Sequence, residues 1–136
     1  MLDKALGLLG LAQKGGNLAI GEEPVGAAAR AGKARLILLA SDAAGHTQRR
    51  AASFAAAHQT PVVQLDADKD TLGAAFGRTS VAMLALTDVF LAKKFLETLD
   101  DPARYGAQLA AVTEKAAAMA QRKQEQQRRN RKKGKK

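Results

Sequence analysis

Four consecutive aliphatic residues, Leu36-Ile37-Leu38-Leu39, constrain this chain more than any other feature. A run without polar alternation is the mark of a strand buried on both faces, so it demands packed layers on either side. The sequence leading into it, GGNLAIGEEPVGAAARAGKARLILLAS from Gly15 to Ser41, reads as one strand–turn–helix–strand unit. Gly15 and Gly16 break a preceding helix, Asn17 to Ile20 is a short strand, and Gly21 turns the chain. Glu22, Glu23 and Pro24 suit a helix start, because acids favour the positive end of the helix dipole and proline suits the first turn. Ala27 to Ala31 continue the helix, and Gly32 and Lys33 stop it. The N-terminus of this helix offers free backbone N–H groups to an anion.

The remaining elements follow in order. Leu2, Ala5, Leu6, Leu9 and Ala12 recur at helical spacing, so residues 2 to 14 read as an amphipathic helix. After a loop at 40–45, Thr47 is expected to cap a helix running to about His58, with Ala51, Phe54 and Ala55 inward and His58 packed at its end. Residues 61–65 are a strand with proline at its first position. A loop and cap at 66–70 precede a short helix, Thr71 to Phe76. Residues 81–86 are a fourth strand, and Thr87 or Asp88 caps a helix to Leu99. Strands alternating with helices predict a three-layer α-β-α sandwich; periodicity alone also allows a small doubly wound sheet.

Asp101-Pro102 marks a boundary, a capping residue followed by proline at the first helical position. The chain therefore divides into a domain at 1–100 and a basic tail at 101–136. In the tail, Tyr105, Leu109, Val112, Ala116 and Met119 form a stripe on one helix face. The stripe either packs on the domain or makes a short coiled-coil contact. From Gln121 onward no apolar residue occurs, so that part is expected to be loosely helical or disordered.

The length, 136 residues, suits one domain with a real core. The chain lacks cysteine, which excludes disulfides, thiol nucleophiles and thiolate metal sites and fits a reducing cytoplasm. No apolar run approaches the roughly 18 residues of a membrane helix. The net charge of +9 is placed unevenly: residues 104–136 carry 11 Lys+Arg against 2 Asp+Glu, whereas residues 1–103 carry 11 of each. A tail that holds the whole excess points to a polyanionic partner, most simply nucleic acid.

The spacing Gly16, Gly21, Gly32, Ala34, Leu36 and the later run Leu72-Gly73-Ala74-Ala75-Phe76-Gly77 resemble the L7Ae/L30e ribosomal protein family, in particular its small bacterial members, over residues 1 to 99. The resemblance implies a four-stranded mixed sheet and a non-enzymatic, cytoplasmic, ribosomal or ribosome-associated RNA-binding protein that recognises kink-turn RNA. It places RNA on the first turn and helix start, Gly21, Glu22 and Glu23, and on the loop before the last strand, Arg78, Thr79, Ser80 and Val81. The family's kink-turn binders carry asparagine at the position of Glu23 and glutamate at that of Pro24. They carry lysines at the positions of Ala19, Ile20 and Ala27. None of these is kept here, although bacterial relatives also show Gly-Glu-Glu or Gly-Glu-Asp at the turn.

Phosphate contacts are expected from Lys14 and from Arg128, Arg129, Arg131, Lys132 and Lys133 of the tail. Arg30, Lys33, Arg35, Arg49, Arg50, Lys93 and Lys94 are further solvated cations open to that role. With one tyrosine and no tryptophan, base stacking is disfavoured and structured RNA is the better target.

Two other readings stand beside this one. The missing lysines and asparagine also fit a protein–protein module of the same fold. A small hydrolase-like site could use Ser41, Asp42 and His46 in the loop after a central strand; no nucleophile motif or metal spacing supports it, and turn chemistry explains the same residues. Asp66, Asp68 and Asp70 begin like a calcium loop, but Thr71 and Gly77 stand where that loop needs glycine and glutamate. No metal or cofactor site is expected.

Overall fold

In the computed structural model, which describes residues 2–133, the elements run α1 (Leu2–Lys14), β1 (Leu18–Ile20), α2 (Glu22–Arg30), β2 (Leu36–Leu39), α3 (Gly45–Ala56), β3 (Val62–Gln64), α4 (Lys69–Ala75), β4 (Met83–Leu86), α5 (Val89–Leu99) and α6 (Pro102–Lys133). The sheet order is β1-β4-β2-β3. β4 is antiparallel to both neighbours, and β2 and β3 are parallel, so the sheet is mixed. The two central strands, LILL and MLAL, are buried at every residue.

Alternation along these strands builds two cores. Leu36, Leu38, Leu84 and Leu86 pack with Leu9 of α1 and with Phe95 and Leu96 of α5. Ile37, Leu39, Met83 and Ala85 pack with Val25 and Ala29 of α2 and Ala51 and Ala55 of α3. This is the three-layer α-β-α sandwich that the apolar run demands. Helices α2 and α3 approach closely because Gly26 has no side chain: a Cβ there would lie 2.9 Å from the Phe54 ring.

Several boundaries differ from expectation. Thr47 does not cap α3. That helix begins at Gly45, the extended Ala44 supplies the first helical carbonyl to Gln48 N–H, and Thr47 is buried inside the helix. Helix α4 starts at Lys69 because Asp68 accepts from Thr71 N–H at 2.7 Å. Strand β4 starts at Met83, because the Val81 N–H is taken by the Lys69 carbonyl of α4. Asp88, not Thr87, caps α5, accepting from Phe90 and Leu91 N–H. α3 ends at Ala56, and His58 is exposed beyond it, beside Gly32.

At the boundary, Asp100 takes a left-handed conformation (φ 51°), ending α5, and α6 begins at Pro102. The stripe on α6 packs on the domain and makes no separate surface: Tyr105, Val112 and Ala116 are buried in the α1/α5 core, with Leu109 and Met119 against it. The Tyr105 hydroxyl donates to the Gln64 carbonyl at 2.7 Å, and burial raises its pKa. The next positions in phase, Lys123, Gln126 and Asn130, are polar and exposed, so α6 leaves the domain there. Beyond Gln121 the chain is helical to Lys133, more ordered than its composition predicts; residues 134–136 of the expected tail lie outside the described residues.

Residues 1–100 hold the complete sheet and helices on both faces, so a chain cut after Leu99 is expected to melt cooperatively. It should be less stable by on the order of 5 kcal/mol, from uncovering the surface that Tyr105, Val112 and Met119 shield. Calorimetry checks this, and a broad, non-cooperative melt would make α6 part of the folding unit.

Candidate nucleic-acid interface

Strands β1, β2 and β3 all end where β4 begins, so one end of the sheet gathers the loops that start α2, α3 and α4 together with the loop before β4. Gly21 sits there with φ 98° and ψ 163°, a conformation open essentially to glycine. Its N–H donates to the Met83 carbonyl at 2.9 Å, which ties the first turn to the entry of β4. Its carbonyl accepts from Val25 N–H and starts α2 without a side-chain cap. The loop 78–81 is fixed from the other side. A Cβ on Gly73 would fall 2.7 Å from both the Arg78 carbonyl and the Ser80 nitrogen, so only glycine lets α4 lie against this loop. The two sequence blocks, Gly21-Glu22-Glu23 and Arg78-Thr79-Ser80-Val81, are thus fixed at the same end of the sheet.

Arg78, Thr79, Ser80 and Glu23 are exposed and available to a ligand; Val81 is buried and serves the core. Glu22 is half-buried and paired with Arg50 of α3 at 3.3 Å, and Arg50 also lies 5.8 Å from the Phe54 ring centroid. Ile20, where kink-turn binders carry lysine, is in the core.

Charge at this end is mainly negative. Glu22, Glu23, Asp42, Asp66, Asp68, Asp70, Asp100 and Asp101 lie on its loops, against Arg49, Arg50, Lys69, Arg78 and Arg104. Part of this acid is structural. Asp42 accepts from Lys69 N–H at 2.8 Å. Asp68 caps α4, and that backbone N–H of Thr71 holds its carboxyl below the usual range. Asp66 pairs with Arg104 at 2.6 Å, a bond that raises the guanidinium pKa. The residues considered for hydrolysis are absorbed in the same way: Asp42 braces the α4 start, and Ser41 N–H donates to the Ala67 carbonyl. His46 is exposed in the first turn of α3. Among the described residues no cluster of His, Asp and Glu could hold a metal ion.

The expected tail and Lys14 are not brought to this end. Lys14 closes α1 at the opposite end of β1, next to Asn17, whose carbonyl accepts from Thr87 N–H. Helix α6 starts beside the end of β3, where Tyr105 meets Gln64, and runs back along the sheet to Lys115, which donates to the His58 carbonyl before β3. Arg128, Arg129 and Arg131 are therefore exposed beyond the far end, and the backbone of Lys132 and Lys133 continues the same helix. No helix among the described residues is long and apolar enough to cross a membrane.

The sequence shares this architecture with known proteins. It is 29% identical over 93 residues to the RNA-binding protein YlxQ of Bacillus subtilis, covering 68% of this chain and 92% of that one. Its fold matches a Bacillus halodurans protein of unknown function with a TM-score of 0.65 at 32% identity, over 72% of this chain and 98% of that one. The model of the ribosomal protein L7Ae/L30e/S12e/Gadd45 family matches residues 3–96, the span that holds the sheet, the Gly21 turn and the 78–81 loop, and the chain belongs to that family.

Proposed function

We propose that this is a non-enzymatic RNA-binding protein of ribosomal type, which recognises sharply bent, kink-turn-like RNA at the Gly21 turn and the 78–81 loop. The observation that carries the reading is the clamping of these two segments at one sheet end, by the Gly21–Met83 hydrogen bond and the Gly73 contact. Free backbone N–H groups at the α2 start suit a phosphate or a purine edge. Family membership and the relative named as RNA-binding support the same partner, and ribosomal RNA is its natural source. At this end Arg78, Thr79 and Ser80 supply exposed donors, and Glu23 supplies an exposed carboxylate. The tail adds phosphate affinity that does not depend on sequence.

Glu23 decides how well this end reads a base. A carboxylate accepts a strong, charge-assisted bond from guanine N–H groups, but several phosphates crowd a kink and repel it together. The repulsion is the larger effect, because each bond counts once and every nearby phosphate counts. Glu23→Asn is expected to tighten binding to a kink-turn with sheared G·A pairs by about 1 kcal/mol and to change straight-duplex binding much less. Titration of both RNAs at fixed salt measures it. Selective weakening would make the carboxylate itself the reader, and no response from either RNA would remove this helix start from the interface.

Deleting residues 121–136 should flatten the salt dependence of RNA affinity by about 0.7 to 0.9 log units for each phosphate that the tail neutralises. An unchanged slope would place the phosphate contacts on the domain instead.

A further inference from the structure

The end of the sheet opposite the Gly21 turn carries the reverse charge. Lys14 closes α1 there, Lys33 lies in the turn before β2, and the Arg35 N–H donates to the Leu86 carbonyl at the exit of β4. Lys115 reaches this end from α6. Arg35, Lys115 and Arg122 line a groove of about 200 Å³ between the start of β2 and α6, floored by Ala118 and Met119. None of the three cations has an ion-pair partner among the described residues. The acids nearby do not neutralise them. Asp88 keeps its charge but caps α5, Glu114, adjacent to Lys115, projects about 100° away around the helix, and Glu125, one turn beyond Arg122, forms no ion pair with it, so the cations exceed the acids at the groove.

We propose that this groove is a second RNA site, which takes the phosphate backbone of a duplex segment distinct from the one held at the Gly21 turn. Three unpaired cations around a partly apolar floor focus a positive potential, and the low dielectric of the floor strengthens it. The groove opens onto the stretch of α6 that leaves the domain, so a duplex seated in it continues along Arg128, Arg129 and Arg131. The surface reads no base: it has long flexible cations and no aromatic platform, which is the chemistry of backbone contact. A protein with two such ends joins two RNA segments, one recognised by shape and the other by charge.

The test uses the full chain and a short straight RNA duplex, and its outcome does not depend on the kink-turn reading. In Arg35→Gln/Lys115→Gln the domain side of the groove is neutralised while residues 121–136 stay intact. The slope of log affinity against log salt should flatten by about 0.9 per cation removed, or about 2 in all. Arg122→Glu, at an exposed position, should weaken duplex binding without altering the melting curve. Lys4→Gln, at an exposed position in the first turn of α1, removes one cation away from the groove and should leave duplex binding unchanged. An unchanged slope in Arg35→Gln/Lys115→Gln would show that the tail binds alone and overturn the proposal, as would a duplex that responds to Lys4→Gln as strongly as to Arg122→Glu. A flattened slope in a protein that does not prefer kinked RNA would support the groove while defeating the kink-turn reading.

Discussion

The antiparallel pairing of β2 with β4 is the constraint on which the rest of the structure depends. Leu36 to Leu39 face Leu86 to Met83 in unbroken register, and all eight residues are buried. A one-residue slip would exchange the two faces, sending Leu36 and Leu38 toward α2 and α3 and Ile37 and Leu39 toward α1 and α5. The matching slip of β4 would put Leu84 and Leu86 where Met83 and Ala85 now lie against the small residues Ala29, Ala51 and Ala55. Register, face and helix choice are therefore one decision. It also fixes where β4 begins, and with that the position of the 78–81 loop against the Gly21 turn.

The same topology explains the charge layout. Helices α2, α3 and α4 start at the loop end, and acids gather around helix N-termini, where the dipole favours them: Glu22 and Glu23 on α2, and Asp68 and Asp70 on α4. α1 and α2 finish at the other end with Lys14 and Arg30 in their last turns. Residues 1–103, whose charges sum to zero, are thus polarised along the strands, an arrangement that their total charge conceals. The end proposed to face kinked RNA is the acidic pole. On the proposed reading, affinity there comes from backbone N–H groups and a few donors such as Arg78, while the long-range attraction of RNA comes from the opposite pole.

Much of this is legible in the chain. The buried run at 36–39, the glycine turn at Gly21 and the helix periodicities yield the three layers, because each depends on residues close in sequence. That the sheet is mixed comes from the family resemblance, since periodicity does not distinguish a mixed sheet from a doubly wound one; the strand order and the antiparallel setting of β4 emerge only in the structure. Thr47 misleads because a hydroxyl before a helical pattern is a good cap in isolation, whereas here the side chain is needed inside. Charge alone groups Lys14 and the tail with the Gly21 turn. What separates them is the direction of α6, which rests on the long-range contacts of Tyr105 with Gln64 and of Lys115 with His58. No local pattern records those contacts.

The path of α6 follows from a change of chemistry along one helix face. Through Met119 the inward positions are apolar and hold the helix to the sheet; at Lys123, Gln126 and Asn130 they become polar, and burying them would leave charge and amide groups desolvated. The helix must separate from the domain at that point, yet its buried half has already set its direction. The basic segment therefore leaves with a defined heading, away from the acidic loops that would otherwise neutralise it. Had the stripe ended at Leu109, the cations could have folded back onto Asp66, Asp100 and Asp101, as Arg104 does with Asp66 at the first turn of the same helix. The further apolar contact from Val112 to Met119 keeps the two poles apart, and that separation leaves the tail's charge free for an external phosphate backbone.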